Sequence, residues 1–285
     1  MATKSDCSPL DHDITHIHPN PLQGRMRPRS FRMKSCAGRD SVVQTIRERG
    51  WAAYEPPLPD VFALCVWSHA GAVLDVGANS GFYSLLAASL RPDVQVFAFE
   101  PYPPVAMLCA ANVALNAADG QISLHRTAIC YSAGVAALYV PYDDHGTIET
   151  SASLNPTFRR KHSAVLRVRT VTADLHIEQS GSPVVSVIKA DVESAEHEVL
   201  RGAERLIQRD RPLIFCEVLP DGRHDLLEAL RQRYRLIDVR LQPTNAIIGG
   251  PVSFDPQSRN HLLVPAERLT SMLTILETAG LGLRS

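Results

Sequence analysis

No C-x-x-C pair occurs among the six cysteines, Cys7, Cys36, Cys65, Cys109, Cys130 and Cys216. Several sit in apolar runs, so the set reads as buried free thiols of a reducing compartment rather than a disulfide framework. Excess charge is also missing. The chain carries 29 Lys+Arg against 30 Asp+Glu, so its global charge makes no case for a nucleic-acid or membrane partner. No apolar run reaches the roughly 18 residues that a membrane helix requires. The N-terminus holds Asp6, Asp11 and Asp13 with no apolar segment of the signal-peptide type, which points to the cytoplasm. What is present is a 45% apolar chain of 285 residues, enough for one large α/β domain and an appendage.

Residues 1–40 are rich in Pro, His, Ser and Arg and lack hydrophobic periodicity, so they read as a mobile or loosely docked arm. Arg25, Arg27, Arg29, Arg32, Lys34 and Arg39 form a basic run in it without an aromatic ladder, more a solvated tail than a nucleic-acid contact. Residues 1–60 are accordingly assigned to an N-terminal arm or cap and 61–285 to the main domain. Short β-like runs at 72–76, 94–99, 122–129, 185–190, 212–218, 234–239 and 261–264 alternate with helical patterns at 80–90, 103–116, 195–208 and 223–232. Such alternation predicts a doubly wound parallel sheet with helices on both faces. Two further β-like runs, 135–141 and 165–171, flank a polar, aperiodic insertion at 142–163, a candidate loop over a site.

The stretch Ala72-Val73-Leu74-Asp75-Val76-Gly77-Ala78-Asn79-Ser80-Gly81 carries the most information. An apolar strand enters a turn with two glycines and a helix follows at once. Glycine there permits positive φ and close approach of a ligand, and the strand end faces the crevice where such sheets bind ligands. The next strand ends in Glu100, placed to accept hydrogen bonds from two ribose hydroxyls. Turn and acid together indicate a nucleoside-containing cofactor. Asn79 occupies the position where a dinucleotide fingerprint has its second glycine, which disfavours a pyrophosphate.

Two more acids stand at predicted strand ends, Asp191 and Glu217. In the usual strand order these strands are neighbours about 4.8 Å apart. Three arrangements are open to the pair: a shared proton, a bound cation such as Mg²⁺, or separation by Lys189. One carboxylate, or His224 in the following loop, could act as general base. His145 and His197 are weaker candidates.

Asp75–Leu85, Phe99-Glu100-Pro101-Tyr102 and Ala111–Asn116 resemble the first motifs of the FkbM-type methyltransferases. Val171–Leu175 and Ile188–Glu196 resemble two later signatures, with Ala173 in place of Leu and Ser194 in place of Gly. The similarity runs from about residue 50 to 265. It implies a class I, Rossmann-like, seven-stranded sheet with one antiparallel strand. It also implies S-adenosylmethionine as methyl donor and a hydroxyl of a sugar or natural product as acceptor. Carried over residue by residue, Asp75, Gly77, Ala78, Asn79 and Gly81 would surround the methionine part, and Glu100 the ribose. Pro101, Tyr102, Thr127 and Ala128 would lie near ribose and adenine. Glu55 and Asp191 would approach the cofactor, and Asn116 either binds it or caps a helix.

Competing functions are an RNA methyltransferase using the basic arm, a nicotinamide-dependent oxidoreductase and a non-catalytic binding module. The sequence leaves homo-oligomerisation open and names no specific acceptor.

Overall fold

The computed structural model describes residues 13–19, 26–36, 38–142, 151–159, 161–242, 246–248, 250–281 and 283–284. Strands β1 (Ile14–Ile17) and β2 (Phe31–Lys34) pair antiparallel, followed by helices α1 (Ser41–Arg49) and α2 (Leu58–Ser68). The α/β alternation then runs β3 (Ala72–Val76), α3 (Phe82–Leu90), β4 (Val96–Phe99), α4 (Pro103–Leu115), β5 (Ile122–His125) and β6 (Ala128–Ile129). β7 (Gly134–Pro141), β8 (His162–Val171), α5 (Ala173–Gln179), β9 (Val185–Ala190), α6 (Glu196–Arg201), α7 (Glu204–Asp210) and β10 (Leu213–Glu217) come next. The chain closes with α8 (His224–Arg233), β11 (Leu236–Leu241), β12 (Ala246–Ile248), β13 (Asn260–Pro265), α9 (Leu269–Thr278) and β14 (Leu283–Arg284).

The main sheet has the order β14-β12-β11-β13-β10-β9-β3-β4-β5. Its seven-stranded core, β11 to β5, is parallel except for β13, which runs antiparallel to both β10 and β11. This is the predicted architecture, lengthened at one edge by β12 and β14. β3 and β9 are buried at every position, Asp75, Ser186 and Lys189 included, as central strands covered by helices on both faces are. The predicted strand 122–129 divides after His125, and β6 leaves the main sheet to join a second one, β6-β8-β7.

Helix α3, FYSLLAASL, has no charged face, and all nine of its residues are buried. A helix apolar all round needs a cover on every side. The segment read as a loosely docked arm supplies it. Phe31, Trp51 and Tyr54 place their rings 6.0, 5.6 and 5.0 Å from that of Phe82. Ile17 and Met33 are fully buried in the same core. The basic run is used locally. The Arg29 guanidinium donates to the carbonyl of Ala88 at 2.9 Å and the Arg32 guanidinium to that of Leu115, where the last turns of α3 and α4 leave carbonyls without intrahelical donors. The cysteine reading holds for Cys65, Cys109, Cys130 and Cys216, which are buried free thiols. Cys36 departs from it, being disulfide-bonded; Cys7 lies outside the described residues.

Candidate active site

The carboxyl ends of β3, β4, β9 and β10 open into one cleft of about 420 Å³. Its geometry begins at Gly77. Val76 pairs with Ala190 across the parallel β3–β9 ladder, and the next step brings Gly77 against Asp191. A Cβ at Gly77 would stand 1.8 Å from the Asp191 carbonyl oxygen, and Gly77 has φ +80°. Only glycine satisfies both conditions. Asn79 continues the turn in the left-handed region at φ +51°. Its side chain accepts from the Ser80 N–H at 2.7 Å, a local bond of the kind that lets Asn tolerate this conformation. Gly81 caps α3 and packs on Cys109, where a Cβ would meet Sγ at 2.9 Å.

Glu100 follows β4 directly. Its carboxylate accepts from the backbone N–H of Asn79 at 3.1 Å and of Tyr102 at 2.8 Å. The glycine turn and the strand-end acid are thus joined by a hydrogen bond. Burial raises the Glu100 carboxyl to about 7, against the opposing pull of those two N–H groups. A carboxylate desolvated this far is stabilised by further donors. Gly77, Asn79, Phe99, Pro101, Thr127 and Ala128 line the cleft around it.

Across the cleft, the β9–β10 register pairs Cys216 with Ala190, so Glu217 and Asp191 take the adjoining positions one step further. Lys189 enters as the partner of Asp191 alone, its other charged neighbours being Asp75 and Glu55 rather than Glu217. The Lys189 ammonium stands 2.8 Å from Asp191 Oδ2 and 4.4 Å from the centre of the Tyr83 ring. Burial works against its charge, but Asp191, Asp75 and Glu55 more than compensate and hold it above the ordinary lysine value. Among the described residues no group of three or more His, Cys, Asp or Glu side chains is placed to hold a metal ion. With a resident ammonium already on Asp191, the donor set does not fit Mg²⁺, and the Asp191–Glu217 metal reading is withdrawn. Glu217 is pushed up to about 9, first by burial and then by Asp191, Glu193, Glu196 and Glu55.

Glu55 reaches the same floor from the N-terminal side. It sits in the left-handed region at φ +45° and accepts from the Tyr83 hydroxyl at 2.7 Å. Burial raises its carboxyl, with Asp191 adding to the effect. Ser41 and Val42, at the start of α1, complete this wall.

Not every predicted site residue lines the cleft. Asp75 and Ala78 are buried beneath it, Asp75 accepting from the Ser84 hydroxyl at 2.6 Å. Tyr102 contributes its backbone N–H to Glu100 and packs its ring beside Leu138 and Val168. Asn116 is a clamp: its amide donates to the Arg32 carbonyl at 2.7 Å and accepts from the Arg32 N–H at 2.8 Å. Asn112, unremarked in the sequence reading, ties the Lys34 N–H to the Ser80 carbonyl in the same way. His224 opens α8 and turns its Nε2 to the Leu219 carbonyl at 2.7 Å, outside the cleft wall. His197 lies beside Glu198 at 3.2 Å, also outside it, and His145 falls outside the described residues.

Part of the 142–163 insertion is positioned over the acids. Ala152, Leu154, Phe158 and Arg159 line the cleft. This strap is fastened at both flanks: the Ser153 hydroxyl donates to the Glu193 carbonyl at 2.6 Å, and the Asn155 amide to the Asp221 carbonyl at 3.0 Å. The loop reading located the segment without these anchors, because a hydroxyl or amide in an aperiodic stretch does not announce its partner.

Comparison with known proteins gives concordant results. The methyltransferase sdnD of Sordaria araneosa is 26% identical over 187 residues, covering 55% of this chain and 70% of that protein. The 2-O-methyltransferase NoeI of Sinorhizobium fredii is 26% identical over 157 residues, covering 51% of this chain and 62% of the relative. The crystal structure of methyltransferase FkbM from Methylobacillus flagellatus aligns with a TM-score of 0.44 at 17% identity, over 68% of this chain and 43% of that one. The model of the methyltransferase FkbM domain matches residues 75–236, the stretch from the glycine turn through both strand-end acids. The chain therefore belongs to the FkbM-type methyltransferases.

Proposed function

We propose that this methyltransferase moves a methyl group from S-adenosylmethionine to a hydroxyl of a small molecule, a sugar or natural product. The observation that carries the reading is the opposition of two acidic stations across one cleft. Glu100 is held by two backbone N–H groups on the nucleoside side, and Asp191 with Glu217 lies on the far side.

The sulfonium donor, when bound, supplies an activated methyl group, so the protein's task is alignment and proton handling. Glu100 accepts from the ribose hydroxyls, while Pro101, Thr127 and Ala128 face the base. Gly77 and Asn79 admit the methionine portion, with Glu55 at its far wall. The bound donor would offer its methyl carbon to the acceptor oxygen with the thioether as leaving group, and Asp191 would take the acceptor's proton. Glu217, neutral because its carboxyl is raised to about 9, donates a hydrogen bond to the acceptor. Residues 1–60 serve as a cap on the donor side through Ser41, Val42, Tyr54 and Glu55.

Oxygen as the accepting atom is supported by the name of NoeI, a 2-O-methyltransferase. An RNA acceptor is not favoured, since Arg29 and Arg32 are engaged with helix ends. The test is direct. The purified chain should show a melting shift with S-adenosylmethionine and S-adenosylhomocysteine but not with NAD. It should then transfer labelled methyl to members of a hydroxylated acceptor panel. A shift with NAD alone would reject the proposal.

A further inference from the structure

A second cavity, of about 410 Å³, adjoins the cleft on the acceptor side. Leu154 and Ala195 line both spaces and are their common wall. Polar side chains converge on it from four places. The strap gives Asn155 and Thr157, α6 gives His197 and Glu198, the turn after β10 gives Asp221 and Arg223, and the turn after β6 gives Tyr131. Its volume lies in the range of small-molecule sites, and convergent polar groups on a partly apolar wall are their hallmark.

The lining selects a ligand class. Carboxylates of Glu198 and Asp221 accept only, the Arg223 guanidinium donates only, and the Asn155 amide and Thr157 hydroxyl do both. An anion would meet two carboxylates, and a hydrocarbon would strip water from polar groups that keep only part of their bonding within the protein, Asn155 to Thr157 and Asp221, and Arg223 to Asp225. A neutral polyol satisfies both kinds of partner, because each hydroxyl donates and accepts. The Tyr131 ring, half-exposed and backed by Arg201 at 4.8 Å, adds a flat apolar surface that suits the C–H face of a sugar ring.

We propose that the second cavity is a distal acceptor subsite, holding the glycosyl unit next to the one that is methylated. This rests on the reading of the main cleft as a methyl-transfer site. The strap lies between the two spaces, its Ser153 bound to the Glu193 carbonyl and its Asn155 to that of Asp221. An acceptor spanning both would cross at Leu154 and Ala195, the residues the two spaces share.

The experiment uses the full chain saturated with S-adenosylhomocysteine. Binding of glucose and N-acetylglucosamine is compared with that of maltose, cellobiose and chitobiose by saturation-transfer NMR and calorimetry. At least one disaccharide should bind tenfold or more tightly than its monosaccharide. Ala136→Trp, which fills the cavity from β7, should reduce that advantage to within twofold while leaving S-adenosylhomocysteine affinity unchanged. Thr157→Tyr gives the same readout if the first variant fails to fold. No advantage for any disaccharide, or one that survives the filling, would overturn the subsite. Failure of S-adenosylhomocysteine to bind the wild-type chain would instead strike the reading of the main cleft.

Discussion

The Lys189 ammonium and the Asp191 carboxylate lie 2.8 Å apart, on side chains two residues apart that share one face of the β9 strand end. The lysine is buried, with a side-chain exposure of 4% against 29% for Asp191. The pair therefore presents its acidic member to the cleft and hides its basic one. The ammonium compensates the Asp191 charge through Oδ2, and in the proposed reaction the acceptor meets Oδ1.

Asp191→Asn keeps shape and hydrogen bonding while removing the proton acceptor. With S-adenosylmethionine and an acceptor found by the panel, kcat should fall by about 10²–10⁴-fold, the usual range for a general base. Near-normal kcat in a folded variant would leave alignment alone as the source of catalysis.

Glu100→Ala removes the acceptor of two backbone N–H groups and, in the proposed reading, of the ribose hydroxyls. Affinity for S-adenosylmethionine should weaken by roughly 1.5–3 kcal/mol, as expected for hydrogen bonds to a charged group. Calorimetry measures this, and wild-type affinity would take Glu100 out of the donor site.

Burial, reinforced by neighbouring acids, raises the carboxyls of Glu217, Glu196 and Glu100 to about 9, 8 and 7. Between an unfolded carboxyl value of about 4.3 and those folded values, the native chain holds more protons than the unfolded one. Stability is then greatest at the acidic end of this window and declines as pH rises through it. Urea denaturation of the ligand-free protein at pH 5, 7 and 9 should show that decline, and Glu217→Gln should shallow it. A flat or rising profile would contradict the assignment.

Two backbone positions should respond in opposite senses. Gly77→Ala drives a Cβ into the Asp191 carbonyl and should cost at least about 2 kcal/mol. Ser194 is a buried non-glycine residue at φ +75°, where the resembling signature has Gly. Ser194→Gly should stabilise the fold by up to about 1 kcal/mol by relieving that conformation. Thermal and chemical melts decide both, and a destabilised Ser194→Gly would show that the side chain has an unseen role.

Ser153→Ala releases the strap from Glu193. The acceptor KM should rise at least about fivefold, since a strap left with only its Tyr139 and Asp221 anchors is looser and must be ordered on binding, while donor affinity stays unchanged. Collapse of donor affinity in a folded variant would move the strap to the other half of the site.

The sequence by itself determined the parallel core. The runs at 72–76 and 185–190 coincide with β3 and β9, because strands buried on both faces are predominantly apolar. It also located Gly77, Glu100, Asp191 and Glu217, since strand-end positions in such a sheet meet at one crevice. Tertiary structure decided what these residues touch. Lys189 lies only two residues from Asp191, yet the fold also sets its ammonium over the Tyr83 ring, 4.4 Å from the centre. Asn116 became a clamp because β2 lies beside α4, a pairing between segments 84 residues apart that no local pattern encodes. The N-terminal segment lacks periodicity, yet it docks. The signal for this sat elsewhere, in the uncharged helix 82–90 that required a cover. Local pattern specifies an element's own buried faces. Which distant segment covers them, and which polar groups then meet, is settled only when the whole core closes.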